Sequence, residues 1–110
     1  MLGTEKLKNS IIENFGTPCP VIDLDVVENN IKRAQSFCDK KGLANRPHIK
    51  THKSPILAKM QIACGAQGIT CQKLGEAEVM VDAGITDIII ATNILGAAKS
   101  GRLAALQKRA

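Results

Sequence analysis

The sequence predicts an α/β fold of parallel βα units that form the N-terminal half of a TIM-type (β/α)8 barrel. Short apolar runs alternate with helical patterns over short connections, which is typical of a parallel sheet. The last run, Ile88–Ile90, is continuously apolar, as expected of a strand buried on both faces of such a sheet. About four βα units account for the 110 residues, whereas a whole barrel takes eight units and about 250 residues. The chain is therefore expected to be a fragment holding half of a barrel.

The chain divides into a leader and a barrel part. Residues 1–16 carry a helical pattern over 5–15 that Gly16 and the following prolines end. Residues 17–110 are predicted to form a partial barrel domain. Short apolar runs within that domain predict its strands: Val21–Leu24, Pro47–Thr51, Gly68–Gln72 and Asp87–Thr92.

Capping residues place the helices between these strands. Asp25 is the expected N-cap of the helix after the first strand, and Glu28 suits a capping box there. Ser54 followed by Pro55 begins the next helix. Glycines are the expected stops of three helices, at Gly42, Gly65 and Gly84. Periodicity predicts the third of these helices over Leu74–Asp82 and a last helix from Ser100 to the end.

A complete four-stranded flavodoxin-like domain is the alternative to half a barrel. That fold needs a phosphate-binding loop after its first strand. The turn at Asp23–Asp25 contains no glycine, which counts against this alternative.

Composition narrows the class of protein. The net charge of +5 is spread along the chain and mixed with acidic residues, so no nucleic-acid footprint is evident. No apolar run approaches a membrane span, and the charged N-terminus lacks the apolar core of a signal peptide. The four cysteines show no CxxC spacing, which argues against zinc and redox motifs. We therefore expect a cytoplasmic protein with reduced thiols, no membrane partner and no nucleic-acid partner.

Polar residues gather at the end of the second predicted strand. Arg46, His48 and Lys50 share one side of that strand, since side chains alternate, and Thr70 with Gln72 lies one strand over. Carboxyl ends of barrel strands form the active-site face. A lysine amine that is partly desolvated or near a cation becomes nucleophilic and forms imines with carbonyl compounds. The open alternative is a basic strand end whose lysines are simply solvated.

Other reactive residues in this region are assigned structural roles. His48 and His52 are four apart but not on a helix, so no metal site is predicted within this segment. Glu76 and Glu78 are two apart on a helix, which predicts a solvated face and a packing contact rather than an acid–base pair. Cys71 has no positioned histidine in sequence and is predicted to be core.

The run Arg-Pro-His-Ile-Lys-Thr-His-Lys at 46–53 resembles a motif of the alanine racemase-like, fold-type III enzymes that use pyridoxal 5'-phosphate (PLP). Its closest likeness is to their D-threonine aldolase and D-serine dehydratase branch. The stretch Gln-Lys-Leu-Gly-Glu-Ala-Glu at 72–78 looks more like the aldolase side. Matching segments cover most of residues 17–95: Thr17–Asp25, Arg46–Lys53, Gln61–Gly65, Gly68–Glu78, Gly84–Ile85 and Asp87–Ile88.

The resemblance implies that Lys50 is the catalytic lysine and carries PLP as a Schiff base. Residues expected to bind the cofactor are Lys50, His48, Arg46, Gln72 and Thr70. The implied function is that of a lyase acting on D-amino acids, which cleaves a 3-hydroxy-D-amino acid to glycine and an aldehyde. A D-serine dehydratase-like ammonia-lyase, which eliminates water, is one alternative. A non-catalytic PLP-binding homeostasis protein is another, although Lys50–Lys53 fits its motif only loosely.

The same resemblance implies that this fragment is inactive alone. In that family a C-terminal β domain supplies the ligands of a divalent metal, so a metal is expected only with that domain. Half a barrel also exposes sheet edges and apolar surface. Two copies could cover these surfaces by pairing as a homodimer.

Overall fold

A computed structural model describes residues 3–110 as five helices and two strands. The leader helix predicted over 5–15 is confirmed, and the helix predicted over 74–82 has the same bounds in the structure. Among residues 3–110, no helix combines the length and apolarity needed to cross a bilayer. The elements in chain order are α1 Thr4–Phe15, α2 Leu24–Lys40, α3 Pro55–Ala63, β1 Ile69–Cys71, α4 Leu74–Asp82, β2 Ile88–Ile90 and α5 Ala97–Gln107.

The sheet is parallel, as the alternating pattern predicted. Strands β1 and β2 pair in register, with Thr70 opposite Ile89. The segment before Lys50 joins the other edge of β1 through a parallel bridge between His48 and Thr70. Two backbone bonds secure it: the Ile49 N–H donates to the Thr70 carbonyl, and the Thr70 N–H donates to the Pro47 carbonyl, each at 2.9 Å.

The strand predicted over Pro47–Thr51 is reduced to a single bridge at His48. Lys50 and Thr51 lie in a turn, because the N–H groups of His52 and Lys53 both donate to the Ile49 carbonyl, at 3.2 and 2.7 Å. These two bonds bend the chain away from the sheet directly after Ile49. Lys50 is therefore the first residue beyond the strand-like segment.

The first predicted strand, Val21–Leu24, does not form. Leu24 opens α2, and the N-cap is Asp23, whose carboxylate accepts the Val26 N–H at 3.2 Å. The expected N-cap Asp25 is instead a first-turn residue, and Glu28 completes no capping box; it pairs with Lys32. The prediction failed because a strand needs a hydrogen-bonding neighbour, and none of the described residues supplies one here.

The core lies between one face of the sheet and the helices. Ile49, Ile69 and Cys71 are fully buried on this face, where they meet α4 and α5. Within residues 3–110, no helix covers the opposite face. The expectation that Ile88–Ile90 is buried on both faces is therefore wrong, because Ile89 points to the uncovered face and is 48% exposed. Helical residues complete the core: Ala58, Leu74, Ala77, Met80, Val81 and Leu106.

The helix starts and stops follow mostly from local residues. Ser54 Oγ accepts the Leu57 N–H at 3.4 Å, with Pro55 at the first helical position, as predicted. Helix α5 begins at Ala97 rather than Ser100, because Gly96 takes a backbone conformation with φ of 88° that ends the preceding loop there. Its last helical residue is Gln107.

The described chain has an open outline. Its radius of gyration is 17.3 Å, whereas a compact domain of about 100 residues has one of about 13 Å. Helix α1 buries none of its residues. Several large apolar side chains are more than half exposed: Phe15, Val21, Ile22, Leu24, Val26, Phe37, Leu43, Ile56, Val79 and Leu95.

Candidate active site at the carboxyl ends of the strands

Lys50 lies at the carboxyl end of its strand-like segment, directly after a residue that is packed in the core. Ile49, directly before it, has no exposed surface, whereas Lys50 itself is exposed. The backbone N–H of Lys50 donates to His48 Nδ1 at 3.2 Å. Because Nδ1 accepts this bond, a neutral His48 ring carries its proton on Nε2. The histidine thus orders the backbone from which the lysine amine extends.

The turn after Lys50 is tied to α3 through His52. His52 Nδ1 accepts the Ser54 N–H at 3.0 Å, and its Nε2 lies 3.3 Å from Gln61 Oε1. Since Nδ1 is an acceptor, Nε2 is the donor to the Gln61 carbonyl oxygen. Both ring nitrogens are therefore used in fixing the turn, and His52 has a structural role here.

Glu76 links the same turn to the end of β1. Its side chain is 11% exposed, and its Oε2 accepts the Gln72 N–H at 2.8 Å and the Lys73 N–H at 3.3 Å. The ammonium group of Lys53 lies 3.7 Å from the other carboxylate oxygen. The prediction of a solvated face and a packing contact for Glu76 missed this role. The sequence did contain a sign of this role, because Glu76 stands three residues after the helix N-cap Lys73, the position of the glutamate in a capping box. The other half of the box is missing, since the lysine side chain has no hydrogen-bond acceptor.

Arg46 lies at the amino ends of the strands rather than at the mouth. Its guanidinium forms a bidentate ion pair with Asp87, at 2.5 and 3.0 Å. The pair crosses Gly68, where a Cβ atom would collide with both the arginine side chain and the Asp87 carbonyl. The guanidinium lowers the pKa of Asp87, and the carboxylate raises the pKa of Arg46. Arg46 and Lys50 are thus at opposite ends of one segment.

Thr70 and Gln72 lie on β1 and directly after it. The Thr70 hydroxyl donates to the Arg46 carbonyl at 3.0 Å, so it secures the edge pairing on the uncovered face. Gln72 borders a cleft of about 600 Å3 at the carboxyl ends. Other polar residues around this cleft are Lys53, Lys73, Glu76, Thr92, Asn93, Lys99 and Arg102.

Of the five expected cofactor-binding residues, Lys50 and Gln72 lie furthest towards the carboxyl end, and His48 and Thr70 face each other two residues earlier. Gln72 borders the cleft, whereas Lys50 is not part of its wall, and Arg46 lies at the amino end. Cys71 is core, and burial raises the pKa of its thiol to about 11, so at neutral pH it is protonated. No three metal-ligating side chains come together within residues 3–110.

Known proteins resemble most of this chain over a part of their own length. No family model matches. A D-threonine aldolase of an Arthrobacter species is 45% identical over 92 residues, which are 84% of this chain and 24% of that enzyme. A D-threo-3-hydroxyaspartate dehydratase of a Delftia species is 49% identical over 78 residues, or 71% of this chain and 20% of that enzyme.

Solved structures agree with the sequence comparison. The crystal structure of D-threonine aldolase from Filomicrobium marinum superimposes with a TM-score of 0.83 at 46% identity, over 86% of this chain and 26% of that one. A Dictyostelium discoideum D-serine dehydratase is 32% identical over 91 residues. This chain spans about a quarter of the length of these relatives and matches the N-terminal part of their fold-type III barrel. Over that part, the chain belongs to the D-threonine aldolase and D-serine dehydratase branch of the alanine racemase-like enzymes.

Proposed function

We propose that this chain is the N-terminal portion of a PLP-dependent lyase that acts on 3-hydroxy-D-amino acids, as D-threonine aldolase does. The observation that carries the proposal is the position of Lys50 in the fold. An exposed lysine amine follows a fully buried residue at the carboxyl end of a parallel sheet, and its backbone is fixed by His48. In barrels of this kind the carboxyl ends of the strands form the active-site face.

The residues present fit a bound PLP. Its aldehyde requires an accessible amine, which Lys50 offers, and its phosphate requires an electropositive polar surface. The cleft of about 600 Å3 beside Gln72 includes Lys73 and Lys99 in its wall. When bound, PLP supplies an electron sink for the bond that breaks at Cα. Lys50 would hold it, with His48 ordering the lysine's backbone. Gln72 would contribute from the wall of the cleft. The ion pair with Asp87 supports a role for Arg46 in holding the sheet together.

The proposed reaction is a retro-aldol cleavage. The β-hydroxyl of the substrate loses its proton, the Cα–Cβ bond breaks, an aldehyde leaves, and Cα takes up a proton to give glycine. The relatives named as aldolases act on D-threonine and 3-hydroxy-D-aspartate. A dehydratase activity on the same class of substrate is the second candidate, favoured by the relative from Delftia.

The proposal also covers the metal and the location of the whole protein. We expect a divalent metal to be bound only by segments that correspond to the part of the relatives this chain does not span. A cytoplasmic location is part of the same proposal, and the four cysteines, all free thiols, support it.

Borohydride trapping tests the proposal on this chain. The folded chain, verified by circular dichroism, is incubated with PLP, reduced and mapped by peptide mass spectrometry. We expect a single label at Lys50 that is absent from Lys50→Ala. Lys59→Ala removes an exposed lysine of α3 and is expected to leave the label unchanged. Labels scattered over many lysines would contradict the proposal for this chain.

A further inference from the structure

We propose that Glu76 is a positioning residue for Lys50 and acts through Lys53. The inference rests on the proposed function, since it gives the glutamate a task only if Lys50 carries a cofactor. Glu76 does not contact the reacting atoms. Its task is to hold the turn of residues 50–53 at a set place relative to the end of β1.

The Glu76 carboxylate lies largely out of water. A carboxylate that is 11% exposed needs partners in place of water. It has three, the N–H groups of Gln72 and Lys73 and the ammonium of Lys53. Because two of these are backbone groups at the start of α4, the carboxylate is fixed relative to β1, and only the Lys53 contact reaches out to another part of the chain.

Lys53 ends the turn that carries Lys50, and its backbone conformation is unusual. Lys53 has a φ of 50°, a left-handed conformation that few residues other than glycine adopt. Its N–H donates to the Ile49 carbonyl at 2.7 Å, which closes the turn around Lys50. A strained residue persists only when its surroundings hold it. Among the described residues, the ion pair with Glu76 at 3.7 Å is a side-chain contact that joins this residue to β1.

Among the described residues, two side chains tether the turn to other elements. His52 ties it to α3 through Ser54 and Gln61. Glu76 ties it to β1, and the same carboxylate binds the N–H of Gln72, which borders the cleft. Without Glu76 the turn keeps its tether to α3 and the backbone bonds that Ile49 makes to Thr70 before it. The side-chain link between Lys53 and the end of β1 is then lost.

The variants separate charge from hydrogen bonding. Glu76→Gln keeps an acceptor oxygen for Gln72 but removes the charge that Lys53 needs, and Lys53→Met removes the other partner. Lys53→Arg retains a cation and is the conservative rescue. Glu78→Gln is the matched control, because Glu78 lies on the same helix and pairs with Arg102 instead.

The first readout is the rate of borohydride-trapped PLP labelling at Lys50, measured well below the thermal midpoint of every variant. We expect Glu76→Gln and Lys53→Met each to slow it about tenfold, because small misplacements of a reacting group are costly. Lys53→Arg should restore most of the rate, and Glu78→Gln should retain it. If the slower labelling came from a general loss of stability, Glu76→Gln and Glu78→Gln would slow labelling equally. Lys53→Arg would then label as slowly as Lys53→Met.

The second readout does not need PLP. Hydrogen exchange of the Lys53 N–H reports on the turn, and we expect it to accelerate in Glu76→Gln but not in Glu78→Gln. If the unsubstituted chain takes up no label at Lys50, the proposed function fails for this chain, and this exchange measurement decides the positioning role alone. Equal exchange at Lys53 in Glu76→Gln and the unsubstituted chain would overturn the inference.

Discussion

At the scale of single residues, the partners of each charged side chain explain its place in the molecule better than its type does. Arg46 and Lys50 are basic residues of the same run, yet only Lys50 is free of an ion pair among the described residues. Arg46 is engaged by Asp87 across a glycine that leaves room for it. The lysine amine is thus exposed without an ion pair in the described chain, whereas the arginine holds two segments of the sheet together.

The Arg46–Asp87 pair makes stability depend on pH. The pKa of Asp87 is lower in the folded chain than its usual value, so the pair stabilises the fold above the unfolded pKa of about 4. That contribution is lost as the pH falls through the lower, folded pKa. We expect the difference in unfolding free energy between the unsubstituted chain and Asp87→Asn to shrink from pH 7 to pH 3, measured by urea unfolding.

Asp25→Asn is the control for this experiment, because Asp25 is an exposed carboxylate of α2 without an ion pair in the described chain. Its difference in unfolding free energy from the unsubstituted chain should change less between pH 7 and pH 3 than that of Asp87→Asn, because Asp25 contributes only a first-turn charge worth about 0.3–1 kcal/mol. An Asp87→Asn difference that stays constant between pH 7 and pH 3 would contradict the role of the pair.

Gly68 sets the space that the pair occupies. We expect Gly68→Ala to lower the unfolding free energy by about 1–3 kcal/mol, because a Cβ atom there collides with backbone as well as with the arginine. Gly101→Ala, in the middle of α5 with open space around it, should instead raise stability by up to about 1 kcal/mol. Urea unfolding of both variants checks this, and equal effects would contradict the steric argument.

At the scale of elements, the ends of helices depend on which residue provides the cap. Ser54 and Asp23 each accept a backbone N–H three residues on, and each sets the start of its helix. The sequence contains two aspartates near the start of α2, Asp23 and Asp25, and periodicity alone does not choose between them. The structure chooses Asp23, which extends the helix back to Leu24 and leaves no first strand.

Replacing each aspartate by alanine tests which of them caps the helix. Asp23→Ala should lower the unfolding free energy by about 0.5–2 kcal/mol, since the Val26 N–H loses its acceptor. Asp25→Ala should cost less, because it removes only a favourable charge from the first turn, worth about 0.3–1 kcal/mol. Thermal unfolding monitored by circular dichroism ranks the two, and the reverse order would mean that the helix begins at the later residue.

At the scale of the whole molecule, the uncovered sheet face is the main feature. Ile89 is nearly half exposed there, in register with Thr70 on β1 and next to the bridge at His48. In a closed barrel this face points to the interior. The chain spans about a quarter of its relatives, and the residues that would complete such an interior correspond to other parts of those proteins.

The homodimer stays a prediction at this scale. We expect the chain to self-associate in sedimentation velocity at micromolar concentrations, because pairing would remove apolar surface from water. Ile89→Lys should weaken the association, whereas Ile56→Lys, which charges an exposed position on α3, should leave it unchanged. A monomer at every concentration would contradict the prediction.

The sequence by itself determined the features that depend on neighbours within a few positions. Helix α4 has the predicted bounds, Ser54 and Pro55 begin α3 as expected, and Lys50 lies at the carboxyl end of the sheet. Caps, turns and periodicity act over one or two helical turns, so they can be recognised without knowing the fold.

The tertiary structure decided which distant residues meet. Arg46 finds Asp87 41 positions later, and Lys53 finds Glu76, only because the register of the strands brings their segments together. The exposure of Ile89 follows from the absence of any covering element on its face of the described chain. Such pairings depend on closing long loops into one register, and no local pattern in the sequence carries that information.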